Sequence, residues 1–160
     1  MLARFKFWDH SEARKSDNWI FGTMLGFGLL GLVASFVLTL DKFRVLENPH
    51  AQLSCSVNLV INCSTVMQTA QASLFGFPNS LLGVMLFPLV IFIAVLGLMR
   101  LKLPNVFWGI VNIGFLLGTI FSYWLFFQSV YVIQVLCPWC LLVTLTMTIL
   151  LSTIFQHNLR

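Results

Sequence analysis

Residues 19–40 read WIFGTMLGFGLLGLVASFVLTL, 22 positions without a charge. At about 1.5 Å rise per residue, a helix of that length covers the roughly 30 Å hydrocarbon core of a bilayer. Three more uncharged stretches follow, Asn79 to Met99, Val106 to Phe127 and Ile133 to Phe155, so each of the four holds 21 to 23 residues. A backbone in lipid must satisfy its own hydrogen bonds, which makes helix the expected form of all four. Trp19, Trp108 and Trp124 stand near span ends, where interfacial aromatics collect.

Composition agrees. Of 160 residues, 59% are hydrophobic and 9% charged, against about 25% charged in a soluble domain, and mean hydropathy is +0.93. The expected fold is an all-α integral membrane protein, a four-transmembrane-helix bundle with a long outer loop between helices 1 and 2. The first apolar run is too long for a signal-peptide core, a charged segment precedes it and no A-x-A cleavage site follows, so it reads as a retained helix. The net charge of +4 is no nucleic-acid signal, because the basic residues flank spans and form no stripe with interleaved aromatics.

Those charges report topology. Four spans put both termini and the turn at 100–105 on one side, which carries Arg4, Lys6, Arg14, Lys15, Arg100, Lys102 and Arg160, while the other carries Lys42 and Arg44. Seven against two places the termini in the cytoplasm of a multi-pass cell-membrane (inner or plasma membrane) protein. The expected organisation is a cytoplasmic N-terminal segment at 1–18, a membrane domain at 19–155 with its outer loop at 41–78, and a tail at 156–160. The loop has 38 residues, long enough for function to be expected of it. Its second half, from Cys63 to Phe77, reads as a short surface helix that Asn62 or Ser64 would cap.

Chemistry enters with the cysteines. All four, Cys55, Cys63, Cys137 and Cys140, fall on the outer side, in a compartment that permits disulfides. Cys137-Pro138-Trp139-Cys140 is a C-x-x-C at the expected start of a helix. Proline suits the first helical position, and free N–H groups at a helix start favour a thiolate at Cys137. A structural disulfide or a metal half-site are the plainer readings of that motif. Cys55 and Cys63 form either a structural loop disulfide or a mobile dithiol serving the first pair. A four-cysteine zinc site fits poorly, because the 55–63 spacing is too wide for a zinc knuckle. No Ser/His/Asp triad, paired-carboxylate site or phosphate loop is visible.

The combination of four helices, Cys55 and Cys63 in the loop, Phe77-Pro78-Asn79-Ser80-Leu81-Leu82-Gly83, and Cys137-Pro138-Trp139-Cys140 resembles the vitamin K epoxide reductase family, its prokaryotic branch above all, over about Trp19 to Phe155. The resemblance implies a helix bundle around a quinone pocket, with Cys137 and Cys140 as the active-site pair and Cys140 nearest the quinone, menaquinone or ubiquinone. It implies that Cys63 exchanges with Cys137, that Cys55 meets a protein partner, and that Asn79 hydrogen-bonds a quinone carbonyl. The animal enzymes carry a tyrosine where this chain has Thr144, so any second hydrogen bond to the ring falls to Thr144. Some members carry a fused thioredoxin-like domain; here the partner is expected to be a separate thioredoxin-fold (DsbA-like) protein.

The implied activity is a thiol:quinone oxidoreductase that reoxidises such a partner. The rivals are vitamin K quinone or epoxide reduction, and a non-enzymatic membrane subunit whose disulfides are structural. Plainer roles stand beside the functional ones: Asn79 as a helix cap, Gly83 and Gly118 as packing sites, His50 as a solvated neighbour of Cys55. Phe87, Leu117, Tyr123 and Trp139 join Thr144 as candidate pocket lining.

Overall fold

The computed structural model describes residues 2–48, 53, 55–56, 61–101 and 104–158, with side chains described from Asp17 onward. Five α-helices follow in order: α1 Leu2–Glu47, α2 Cys63–Met67, α3 Asn79–Leu98, α4 Asn105–Phe127 and α5 Pro138–Asn158. A 3₁₀ turn spans Ala70–Ser73 and a π-helical segment Gln128–Ile133 continues α4. No strand occurs among the described residues, only an isolated bridge between Ile61 and Leu136. Four helices are long and apolar enough to cross a membrane: Asp17–Glu47, Asn79–Leu98, Asn105–Ile133 and Pro138–Asn158.

Three boundaries differ from the sequence expectation. The first helix does not stop at Leu40 but runs to Glu47, and Asn48 N still donates to Arg44 O at 2.9 Å. Charge marks where lipid ends, not where a hydrogen-bond ladder ends, and DKFRVLE contains no glycine or proline to break it. The 31 residues from Asp17 rise about 46 Å, well beyond a roughly 30 Å core. Asp41 to Glu47 therefore form a helical post. The last helix starts at Pro138, not Ile133, because the π-helical segment ends at Gln134, whose φ of 58° is left-handed. The loop segment from Cys63 is two short pieces, α2 and the 3₁₀ turn, with Asn62 as the N-cap of α2.

Helix α1 is central: it packs closely on α3 and on α5, and α5 in turn on α4. Small residues make the α1–α3 seam. A Cβ on Gly83 would stand 2.2 Å from Ser35 Oγ and one on Gly97 would stand 2.3 Å from the Phe21 ring, so only glycine permits this approach. Thr39 Oγ1 and Ser80 Oγ hydrogen-bond across the seam at 2.9 Å. Hydroxyls within the bundle donate to their own helix, Thr119 to Phe115 O at 2.7 Å and Thr146 to Leu142 O at 2.8 Å, so these two donors are paired in the apolar interior.

The buried side chains separate into two clusters. The larger gathers Phe21, Met24, Phe87, Val90, Phe115, Leu150 and neighbours in the body of the bundle. The smaller gathers Leu38, Val45, Leu53, Met67 and three cysteines at one end of the bundle. The opposite helix faces expose Leu89, Phe92, Ile110, Ile113 and Ile120, as lipid contact requires.

Candidate active site

Leu38 and Val45 stand seven residues apart on one face of α1, and that face packs against the cysteines. Cys55 and Cys63 are joined as a disulfide, while Cys137 and Cys140 are free. Cys63 is fully buried and Cys137 nearly so. Their sulfurs lie 3.4 Å apart. Residues 74 positions apart in sequence are thus in contact through the atoms that exchange chemistry needs.

A backbone clamp sets that contact. Ile61 bridges Leu136, and Asn62 N donates to Leu136 O at 3.2 Å, so the residues that follow each, Cys63 and Cys137, are brought side by side. The Asn62 side chain fixes the rest: its Oδ1 accepts from Thr65 N at 3.3 Å, capping α2, and from Ser56 Oγ at 2.9 Å, holding the other side of the disulfide loop. Lys42 Nζ donates to the carbonyl of Met67, the last residue of α2, so a cation sits at that helix C-terminus.

Cys137 immediately precedes α5, with Pro138 in the first helical position as its missing N–H predicts. A hydrogen bond from the Cys140 side chain holds the Cys137 thiol below its ordinary value, and the backbone N–H groups of Cys140 and Trp139 add to this. Burial and the charge of Asp41 oppose them. The net direction favours a thiolate at Cys137, as expected at a helix start.

Beneath the dithiol lies a cavity of about 400 Å³ with mostly apolar walls from α1, α3, α4 and α5. Helices α3 and α4 face each other across it. Cys137, Cys140, Asn79 and Thr144 all line it, whereas Cys55 and Cys63 do not. The fold therefore places a loop disulfide outside the cavity and a dithiol in its wall, in contact through Cys63 and Cys137.

Not every residue sits as the sequence implied. Asn79 does not cap α3. Its Nδ2 donates to Gln71 O at 2.6 Å and its Oδ1 accepts from Leu74 N at 3.1 Å, tying the 3₁₀ turn to the cavity rim. One amide hydrogen remains uncommitted. Thr144 Oγ1 donates to Cys140 O at 3.0 Å. Gly83 and Gly118 serve both readings, since they pack tightly and also line the cavity. Phe87 lines it too, but Leu117, Tyr123 and Trp139 do not: Leu117 and Tyr123 are exposed, and Trp139 packs on the cysteine cluster. His50 lies outside the described residues. No group of three metal-ligating side chains occurs among the described residues.

Sequence reasoning missed Asp41 and Lys42, which served there only as loop charges. Both are buried here, at 2% and 8% exposure. The missed signal was the continued helical spacing Leu38, Asp41, Val45, which puts Asp41 on the cysteine-facing side of α1.

Membrane-crossing helices, a disulfide and a dithiol in contact, and an apolar cavity behind them define a class, the multi-pass membrane thiol–disulfide oxidoreductases. The family description "Vitamin K epoxide reductase family" matches residues 23–155, and the chain belongs to that family. Its members are oxidoreductases that use quinones as electron acceptors. No curated protein matches the chain.

Proposed function

We propose that this protein oxidises a separate thioredoxin-fold (DsbA-like) protein on the outer face of the cell membrane and delivers the electrons to a membrane quinone, menaquinone or ubiquinone. The observation that carries this reading is the 3.4 Å contact between the Cys63 and Cys137 sulfurs, at the mouth of the cavity that Cys140 lines. The excess of basic residues at the termini and the 100–105 turn supports cytoplasmic termini and outward-facing cysteines.

The cavity suits a quinone. Its size falls in the range of small-molecule pockets, its walls are mostly apolar, and a few polar groups, Asn79, Ser80 and Thr144 among them, line it. Asn79, with one amide hydrogen to spare, is the candidate donor to a ring carbonyl, and Thr144 adds only a hydroxyl already donated to Cys140 O.

In the cycle, a partner thiolate attacks Cys55, the Cys55–Cys63 bond breaks, and Cys63 leaves as a thiolate. The partner's second thiol resolves the mixed disulfide, so the partner departs oxidised and Cys55 and Cys63 are both reduced. Cys63 thiolate then attacks Cys137 in the Cys137–Cys140 disulfide, and Cys140 takes the electron pair. Cys55 gives up its thiol proton as it attacks Cys63, restoring the loop disulfide, while the Cys137 sulfur takes the electron pair and a proton. A bound quinone supplies the final acceptor, taking two electrons and two protons as Cys137 and Cys140 rejoin. A 30 mV gap between such two-electron couples is worth about 1.4 kcal/mol, so a modest difference in potential sets the direction.

The test is quinone reduction by purified protein in detergent, driven by a small dithiol. Cys140→Ser is expected to lower the rate by at least roughly a thousandfold, about 4 kcal/mol of barrier. A Cys140→Ser variant with the wild-type rate sinks the proposal.

A further inference from the structure

Asp41 is 2% exposed, and its Oδ2 has no hydrogen-bond partner. Its other oxygen meets Arg44 Nη1 at 3.3 Å, and that arginine is largely solvent-exposed. Leaving a carboxylate oxygen unpaired in an apolar cluster is unfavourable, and such groups in folded proteins call for a reason. Lys42, the next residue, does not supply a partner: its ammonium goes to the Met67 carbonyl.

The surroundings suggest the reason. Asp41 sits between Leu38 and Val45 on the face of α1 that packs against Cys55, Cys63 and Cys137. Its charge acts on Cys137. Arg44 pairs with its other oxygen and Lys42 is its neighbour in the chain, while the cluster covered by its face of α1 holds Cys55 and Cys63 from the loop and α2 and Cys137 at the start of α5, with Cys140 packed against them. Cys55, Cys63 and Cys137 are 6%, 0% and 1% exposed. When the loop disulfide is restored, a proton must leave the Cys55 thiol and another must reach the Cys137 sulfur, both in a cluster closed to bulk water. Arg44 and Lys42 are cations and offer no lone pair.

We propose that Asp41 is the proton carrier of the exchange between the two cysteine pairs. As Cys55 attacks Cys63, its proton passes to Asp41 Oδ2. The Cys55–Cys63 bond forms, the Cys63–Cys137 bond breaks, and the electron pair goes to Cys137. Asp41 then returns the proton to the Cys137 sulfur, and no net charge is created in the cluster. In the reverse direction Asp41 accepts the proton of Cys137. This rests on the relay order given above.

The experiment omits quinone. Fully oxidised protein in detergent is mixed with a reduced thioredoxin-fold protein, which unlike a small dithiol enters only through the loop pair, then quenched in acid at intervals, alkylated and mapped by mass, so that reduction of Cys55–Cys63 and of Cys137–Cys140 are timed separately across pH. Asp41→Asn should leave reduction of the loop pair unchanged and slow transfer to Cys137–Cys140 by roughly a hundredfold at neutral pH, in the usual range for a lost acid–base group. The deficit should close as pH rises and hydroxide takes over the deprotonation. Arg44→Ala should transfer at the wild-type rate. Equal or faster transfer in Asp41→Asn overturns the proposal, as does a loss of the same size at every pH, or an equal loss in Arg44→Ala. If Asp41→Asn does not fold, Asp41→Glu decides: transfer near the wild-type rate with an unchanged pH profile is expected, and a uniform loss with normal loop reduction overturns it. Wild-type protein in which the loop pair is never reduced before Cys137–Cys140 would refute the relay order instead, independently of Asp41.

Discussion

The two buried clusters differ in kind. The one in the body of the bundle is apolar throughout, from Ile20 and Met24 on α1 to Leu150 and Ile154 on α5. The one at the cysteine end combines aliphatic side chains with three cysteines, and Asp41 and Lys42 are buried on the α1 helix beside it. The first is redundant: many side chains share the packing, and none has chemistry to offer. The second has fewer members, and the polar side chains beside it hold specific partners: Lys42 the Met67 carbonyl, Asn62 both Thr65 N and Ser56 Oγ. A membrane bundle thus separates what holds it together from what reacts, and places the reactive part where the helices leave the lipid.

That division is testable from both sides. The largest effect should come from Cys55→Ser, which removes the sulfur that meets the partner. Turnover with a thioredoxin-fold partner is expected to fall to background while reduction by a small dithiol that reaches Cys137–Cys140 directly persists. Equal failure with both reductants would mean the outer cluster acts as one structural unit. Next comes Leu150→Ala, at a fully buried position of the inner cluster. It should lower stability by about 3 kcal/mol through the cavity it leaves, read as thermal unfolding in detergent, without changing the rate of thiol exchange per folded molecule. A changed rate would show the clusters to be coupled. Asn62→Ala should be smaller, about 1 kcal/mol for a lost N-cap, and it should slow transfer from the loop pair to Cys137–Cys140 several-fold while Asn62→Asp restores it. The smallest effect on turnover is expected from Asn79→Ala, which removes its bonds to Gln71 O and from Leu74 N together with the proposed bond to the ring, the last worth about 1 kcal/mol. The quinone concentration needed for half-maximal rate should rise a few-fold, and an unchanged requirement would assign Asn79 to the loop alone.

Cys137 adds a pH signature. Its thiol is held below the ordinary value, first by the Cys140 hydrogen bond. Because the thiolate is the attacking form, steps in which Cys137 attacks should gain rate with rising pH and level off below the pH at which an ordinary thiol would.

Much of this was legible in the chain itself. Four uncharged runs of 21 to 23 residues announced four membrane helices, since transfer to lipid is summed residue by residue along a segment and needs no knowledge of the fold. The absence of cysteine from the first three runs, and Pro138 at a helix start, were equally local facts. Boundaries were less legible. Leu40 and Ile133 were taken as helix limits because charge begins or apolarity resumes there, whereas the hydrogen-bond ladder continues to Glu47 and breaks at Gln134. What only tertiary structure decided were the contacts: that Cys63 and not Cys55 touches Cys137, that Asn79 spends its amide on Gln71 and Leu74, and that Asp41 is buried with one oxygen unpaired. Each depends on where segments distant in sequence meet, through the Ile61–Leu136 bridge and the face α1 turns to the loop. Hydropathy is a property of a segment, but the pairing of two sulfurs is a property of the packing between segments, and no single segment encodes it.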